Sequence, residues 1–101
     1  MESALRYVPC QVQPGMFRGE WLVYVDAVDP QSPENRIRVQ LLVDHGEVAD
    51  IQGTPRRNQP APAWLRVSLA NKSQGLAQVV LPQPAIPVGE SMFIPERLVK
   101  Q

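Results

Sequence analysis

The chain has 101 residues, of which 44% are hydrophobic, 20% charged and 6% aromatic, with 11 prolines, one cysteine and no formal net charge. A chain of this length buries a self-sufficient core without disulfide staples, and its lone Cys10 excludes an intramolecular disulfide and a cysteine-based zinc cluster. No apolar run approaches the ~20 residues of a membrane-spanning helix, and the N-terminal Met-Glu-Ser-Ala-Leu-Arg-Tyr has no basic region followed by an apolar core. One cytoplasmic domain over residues 1–101, with no signal peptide and no membrane insertion, is therefore expected.

Charge is unevenly placed. Residues 1–50 hold four arginines against eight acidic residues, a balance of −4, and residues 51–101 hold six basic residues against two acidic ones, a balance of +4. Such asymmetry marks either a docking face or two halves that pair with each other.

Leu5 to Val12 is the first predicted strand, with Pro9 placing it at an edge or bulge. Gln13-Pro14-Gly15 reads as a type II turn. From Glu20 to Val28 and from Arg36 to Asp44 the chain alternates. Trp21, Val23, Val25 and Ala27 share one face, and Ile37, Val39, Leu41 and Val43 share another. The predicted register pairs Trp21 with Val43, Val23 with Leu41, Val25 with Val39 and Ala27 with Ile37. Asp26 then falls opposite Arg38, Tyr24 opposite Gln40 and Leu22 opposite Leu42. A slip of one residue would expose the whole apolar set. The link Asp29 to Asn35 is too polar and proline-rich to extend either strand.

Asp44-His45-Gly46-Glu47 reads as a two-residue hairpin turn, with Val48 to Ile51 returning as a short strand. Residues 52–63, with three prolines, one glycine and the adjacent Arg56 and Arg57, are expected to form a long exposed loop. Leu65, Val67 and Leu69 point inward from the next strand and Trp64 outward. Asn71 to Gly75 turns the chain, and the second hairpin pairs Leu69 with Ala77, Val67 with Val79 and Leu65 with Leu81. Pro82 to Pro87 is a connector, Ser91 to Ile94 a last strand, and Pro95 to Val99 a helical turn or strand end.

The fold expected is all-β: a small, partly open antiparallel barrel, or a sandwich, of six or seven short strands. In strand count and spacing alone it resembles small Src-homology-type and oligonucleotide-binding barrels, which by itself implies no function. The expected core is Val8, Trp21, Val23, Val25, Ile37, Val39, Leu41, Val43, Leu65, Val67, Leu69, Val79, Leu81 and Phe93. Met16 to Val23 matches Met92 to Val99 at five of eight positions, but the flanks differ, and a duplication would extend over a whole unit.

Catalytic chemistry has few residues to use. His45, the only histidine, lies between Asp44 and Glu47, so it is either a carboxylate-supported imidazole or a polar turn residue. Cys10 is either half of a thiolate pair with His45 or a small buried hydrophobe. No phosphate-cradling glycine loop and no serine elbow is present. No cofactor, metal or catalytic residue is expected.

Binding fits the residues better. Trp64 with Arg56, Arg57 and Arg66 makes an aromatic and basic surface of the kind enriched at binding hot spots, unless the loop folds back over Trp64. Tyr24 and Leu22, on the outer face of the long hairpin, are a second candidate patch. The function expected is that of a non-catalytic accessory or assembly module docking a protein partner. The alternative is single-stranded nucleic-acid binding through the same residues. Against it stand the zero net charge and few lysines, since phosphate contacts dominate such affinity. A small enzyme using His45 is the remaining reading.

Overall fold

The computed structural model describes residues 5–101; the leader reading of Met1–Ala4 lies outside them. The expected barrel is present, and its ring is closed. Seven strands run in the order β1 (Leu5–Pro14), β2 (Glu20–Asp29), β3 (Ser32–Asp44), β4 (Val48–Ala49), β5 (Ala61–Ser73), β6 (Leu76–Ala85) and β7 (Gly89–Pro95). Five of them, β1-β2-β7-β6-β5, close into a barrel because β1 pairs with both β2 and β5; β3 adds to β2 and β4 to β5. Short 3-10 turns follow β3 at His45–Glu47 and β7 at Glu96–Leu98, the second where a C-terminal helical turn was expected.

The β2–β3 register is the one the alternation requires. Trp21 faces Val43, Val23 faces Leu41, Val25 faces Val39 and Ala27 faces Ile37, with Leu22–Leu42, Tyr24–Gln40 and Asp26–Arg38 on the outer face. The polar link is shorter than its composition suggests. Only Pro30 and Gln31 turn the chain, where the Gln31 N–H donates to Asp29 Oδ1 at 2.9 Å. Pro33, Glu34 and Asn35 bulge from β3 between the paired Ser32 and Arg36, where proline needs no ladder partner.

Three further turns differ from expectation. Between β1 and β2 the positive φ falls at Gly19 and not at Gly15, so Pro14-Gly15 is not a type II turn. Gly15 is instead a close approach, because a Cβ there would lie 2.7 Å from Glu20 Oε1. Gly46 does not take the positive φ of a tight hairpin. The chain makes a 3-10 turn instead, and β4 leaves β3 to pair with β5, Val48 facing Leu65. The β5–β6 turn is the two residues Gln74 and Gly75, with φ 55° and 80°. This moves the register by two, so Leu69 faces Val79, and a bulge at Ala70 absorbs the difference. A slip of two keeps the same side chains inward.

The loop expected over 52–63 ends at Pro60. Ala61, Pro62 and Ala63 begin β5, with Ala61 and Ala63 buried. The Pro82–Pro87 connector likewise lies mostly within β6, and Ile86 exchanges two backbone hydrogen bonds with Gln40 of β3 at 2.9 and 3.0 Å.

One hydrophobic cluster draws residues from all the barrel strands and from β3. Val8, Val12, Val23, Val39, Leu65, Val79, Met92 and Ile94 are fully buried, each contributing about 1.5–3 kcal/mol. Trp21, Ile37 and Leu69 pack on the cluster from its margin. Phe93 is a correction: it is only partly buried, because β7 turns Met92 and Ile94 inward and period 2 places Phe93 on the other face. The Met16 and Met92 segments do not share a structure. The first is a turn leading into a strand, the second a strand leading into a 3-10 turn.

Candidate functional site

The most distinctive surface is a groove where β1 and β2 part. β5 flanks β1 from Leu5 to Val12, whereas β2 pairs with it only from Gln11 to Pro14. At the far end Tyr7 exchanges backbone hydrogen bonds with Lys100 at 2.7 and 2.8 Å. Pro9, two residues from Tyr7 and from Gln11, has its nitrogen on that same flank. It has no N–H to leave unpaired there, which is why a proline is accommodated inside β1. The gap opens a groove of about 540 Å³ lined by Pro9, Gln11, Tyr24, Asp26, Arg36, Arg38 and Trp64, among others.

Strand alternation builds this wall. Leu65 and Ala63 face the core, so Trp64 faces out; Val23 and Val25 face the core, so Tyr24 faces out. Each ring carries a cation on its face. The Arg38 Cζ lies 4.6 Å from the Tyr24 ring centroid, and the Lys100 Nζ lies 4.8 Å from that of Trp64. Lys100 also meets Asp50 at 3.6 Å. The pairing expected to tie Arg38 to Asp26 is realised in the backbone register, while the guanidinium lies over Tyr24.

A second depression, of about 330 Å³, lies further along the same outer face of β2 and β3. Pro14, Met16, Leu22, Leu42, Arg57 and Asn58 line it. Met16 is 80% exposed, Phe17 beside it 71% and Leu42 43%.

The four expected binding residues are thus not brought to one surface. Arg56 and Arg57 are exposed on a turn closed by two hydrogen bonds between Arg56 and Gln59, at 2.8 and 3.0 Å. Arg57 lines the apolar depression and Trp64 the aromatic groove. Arg66 is occupied: its Nε and Nη2 donate to the two carboxylate oxygens of Glu47 at 3.2 and 3.1 Å. That hydrogen bond and the carboxylate charge raise the pKa of the guanidinium further above its ordinary value. Trp64 stays partly exposed, with Gln52 of the loop in the same groove wall. Arg36, Arg38, Lys100, Met16 and Phe17 went unnoticed in the sequence as site residues; alternation had already turned Tyr24 and Leu22 outward.

The same contacts bear on catalysis. Glu47, one of the two carboxylates expected beside His45, goes to Arg66, and the exposed His45 ring stacks on Trp21 at 4.6 Å. Cys10 is buried in the core, where desolvation pushes its thiol up to about 12. Among the described residues, no three His, Cys, Asp or Glu side chains gather to hold a metal ion, and no helix is long and apolar enough to cross a membrane. Comparison of the chain with family models, with curated proteins and with solved structures gives no match.

Proposed function

We propose that this protein is a non-catalytic docking module, an accessory or assembly protein that binds a protein partner through the depression lined by Met16, Leu22 and Leu42 together with Phe17, the exposed chain neighbour of Met16. Arg57 of the proline-rich loop is its polar rim. The observation that carries this reading is the exposure of Met16 and Phe17, at 80% and 71%, with Met16 sharing its depression with the half-exposed Leu42. Adjacent large apolar side chains left in water mark interaction surfaces, and an apolar centre rimmed by arginine is the usual anatomy of a protein interface. The contacts of His45, Glu47 and Cys10 support a binding role over a catalytic one, since each is engaged in stacking, ion pairing or core packing.

The test is capture of a partner from the native host by immobilised protein. A Met16→Ser/Phe17→Ser variant is expected to lose the co-purifying protein at least roughly tenfold, in line with the loss of interface anchors. Arg56→Ala/Arg57→Ala should weaken capture with no change in thermal midpoint, because both side chains are exposed. Equal recovery of the partner by the wild type and both variants rules the proposal out.

A further inference from the structure

We infer that the groove between β1 and β2 binds single-stranded nucleic acid, with bases displacing the Arg38 and Lys100 side chains from the faces of Tyr24 and Trp64 to stack there, and with those two cations turning, together with Arg36, to the phosphates. This site is distinct from the apolar depression and shares none of the residues on which the protein-docking proposal rests.

The groove's chemistry selects this ligand class. Its two aromatic rings face outward, and a cation sits about one ring-width above each, at 4.6 and 4.8 Å. Arg36 and Arg38 line the groove, and Lys100 reaches it as a third cation over the Trp64 ring. The acidic groups nearby are Asp26, in the groove wall, and Asp50, in an ion pair with Lys100 at 3.6 Å. That pair is exposed on both sides, so it is weak and its ammonium is free to turn to a phosphate. An uncharged apolar ligand would leave the three cations unused, and an acidic peptide would leave both rings unused. A chain that alternates flat π-faces with anionic links uses all five groups, as in sequence-tolerant single-strand binding.

The spacing agrees. Trp64 faces Pro9 across β5 and β1, and Gln11 faces Tyr24 across β1 and β2. The two rings are therefore two strands and two residues apart, roughly 12 Å between their Cα atoms. Two bases seat separately at that distance, with the sugar-phosphate link crossing the gap above Pro9. At about 540 Å³ the groove lies within the ordinary range of ligand sites.

The probe is a fluorescently end-labelled oligothymidylate of about twelve nucleotides, titrated by anisotropy from about 20 to about 150 mM salt. Three phosphate contacts give a slope of log K against log salt near −2 and an affinity loss of roughly 70-fold across that range. Arg36→Gln/Arg38→Gln, both exposed and expected to fold normally, should bring the slope to about −0.7. Tyr24→Leu and Trp64→Leu should each weaken binding roughly 5- to 150-fold, the loss of one stacked base. Met16→Ser/Phe17→Ser should bind as the wild type does, which separates this result from that of the docking test. No binding at the lowest salt overturns the inference. So does an unchanged slope in the double arginine variant, or a labelled polyglutamate of equal length binding as tightly as the oligonucleotide.

Discussion

Cys10 faces inward from β1 between Val8 and Val12, 6% exposed, and loss of hydration pushes its thiol up to about 12. In the unfolded chain the same thiol titrates near 8.5. Below about 8.5 both states keep the proton, and Cys10 adds no pH dependence. Above it the unfolded state loses a proton that the folded state retains, so stability falls by up to about 1.4 kcal/mol per pH unit until the folded thiol also titrates. Urea midpoints at pH about 7.5 and about 9.5 should show this fall in the wild type and a smaller one in Cys10→Ala. Equal losses in both proteins would mean that the thiol is not responsible. The native thiol should also resist thiol reagents at neutral pH, since the thiolate is the reactive form. Burial of Cys10 was legible in the alternation of β1, where Val8, Cys10 and Val12 share a face. Phe93 was misread for the opposite reason: its size drew it into the expected core, while its position beside Met92 and Ile94 put it outside.

At the scale of elements, the two long hairpins differ in how much of their geometry is local. In β2–β3 both strands alternate strictly, a slip of one would turn Val23, Val25, Val39 and Leu41 outward, and the outer-face match of Asp26 with Arg38 and Leu22 with Leu42 marks the observed register. In β5–β6 the alternation admits registers two residues apart, and the choice falls to the turn. Gln74 and Gly75 both take positive φ, at 55° and 80°, which makes a two-residue turn whose twist matches the strands. The bulge at Ala70 leaves no pattern of its own in the sequence. Proline misled in the same way at Pro33, Pro62, Pro82 and Pro84. It reads as a breaker, yet each lies inside a strand, Pro33 at a bulge. If the turn sets the β5–β6 register, its backbone is its sensitive point. A Cβ at Gly75 would touch nothing within 4 Å, so Gly75→Ala isolates the conformational cost, about 1–2 kcal/mol. Gln74→Asn should stabilise slightly, because asparagine tolerates the left-handed region better. Denaturation midpoints of the two variants moving in opposite directions would bear this out; a neutral Gly75→Ala would place control of the register elsewhere, in the bulge.

The whole molecule depends on contacts distant in sequence. β1 lies between β2 and β5, and this placement brings Tyr24, Arg38 and Trp64 around one groove, with Lys100 over the Trp64 ring. Tyr24, Arg38 and Trp64 could each be seen to face outward from its own strand. Their meeting could not, because it depends on β1 parting from β2 beyond Gln11 and on Lys100 returning to Tyr7. The seams of the barrel are uneven. β1 and β5 share eight paired residues, β1 and β2 four, and β2 and β7 only Val28 with Phe93. A hairpin held by such thin seams would unfold separately if hydrogen bonds alone held it. Its inward side chains, however, belong to the same cluster as those of β5, β6 and β7, and core burial outweighs single ladder bonds. One cooperative transition is therefore expected. The two tryptophans report on it separately, since Trp21 is on β2 and Trp64 on β5. Urea unfolding of Trp21→Phe followed through Trp64, and of Trp64→Phe followed through Trp21, should each coincide with the loss of far-ultraviolet circular dichroism in the same variant. Adding Val39→Ala, a fully buried position on a strand outside the closed ring, should destabilise both reporters equally by about 2–3 kcal/mol. A Trp21 transition that moves to lower urea while Trp64 holds its midpoint would show that the β2–β3 hairpin opens on its own, with its wall of the groove leaving the barrel first.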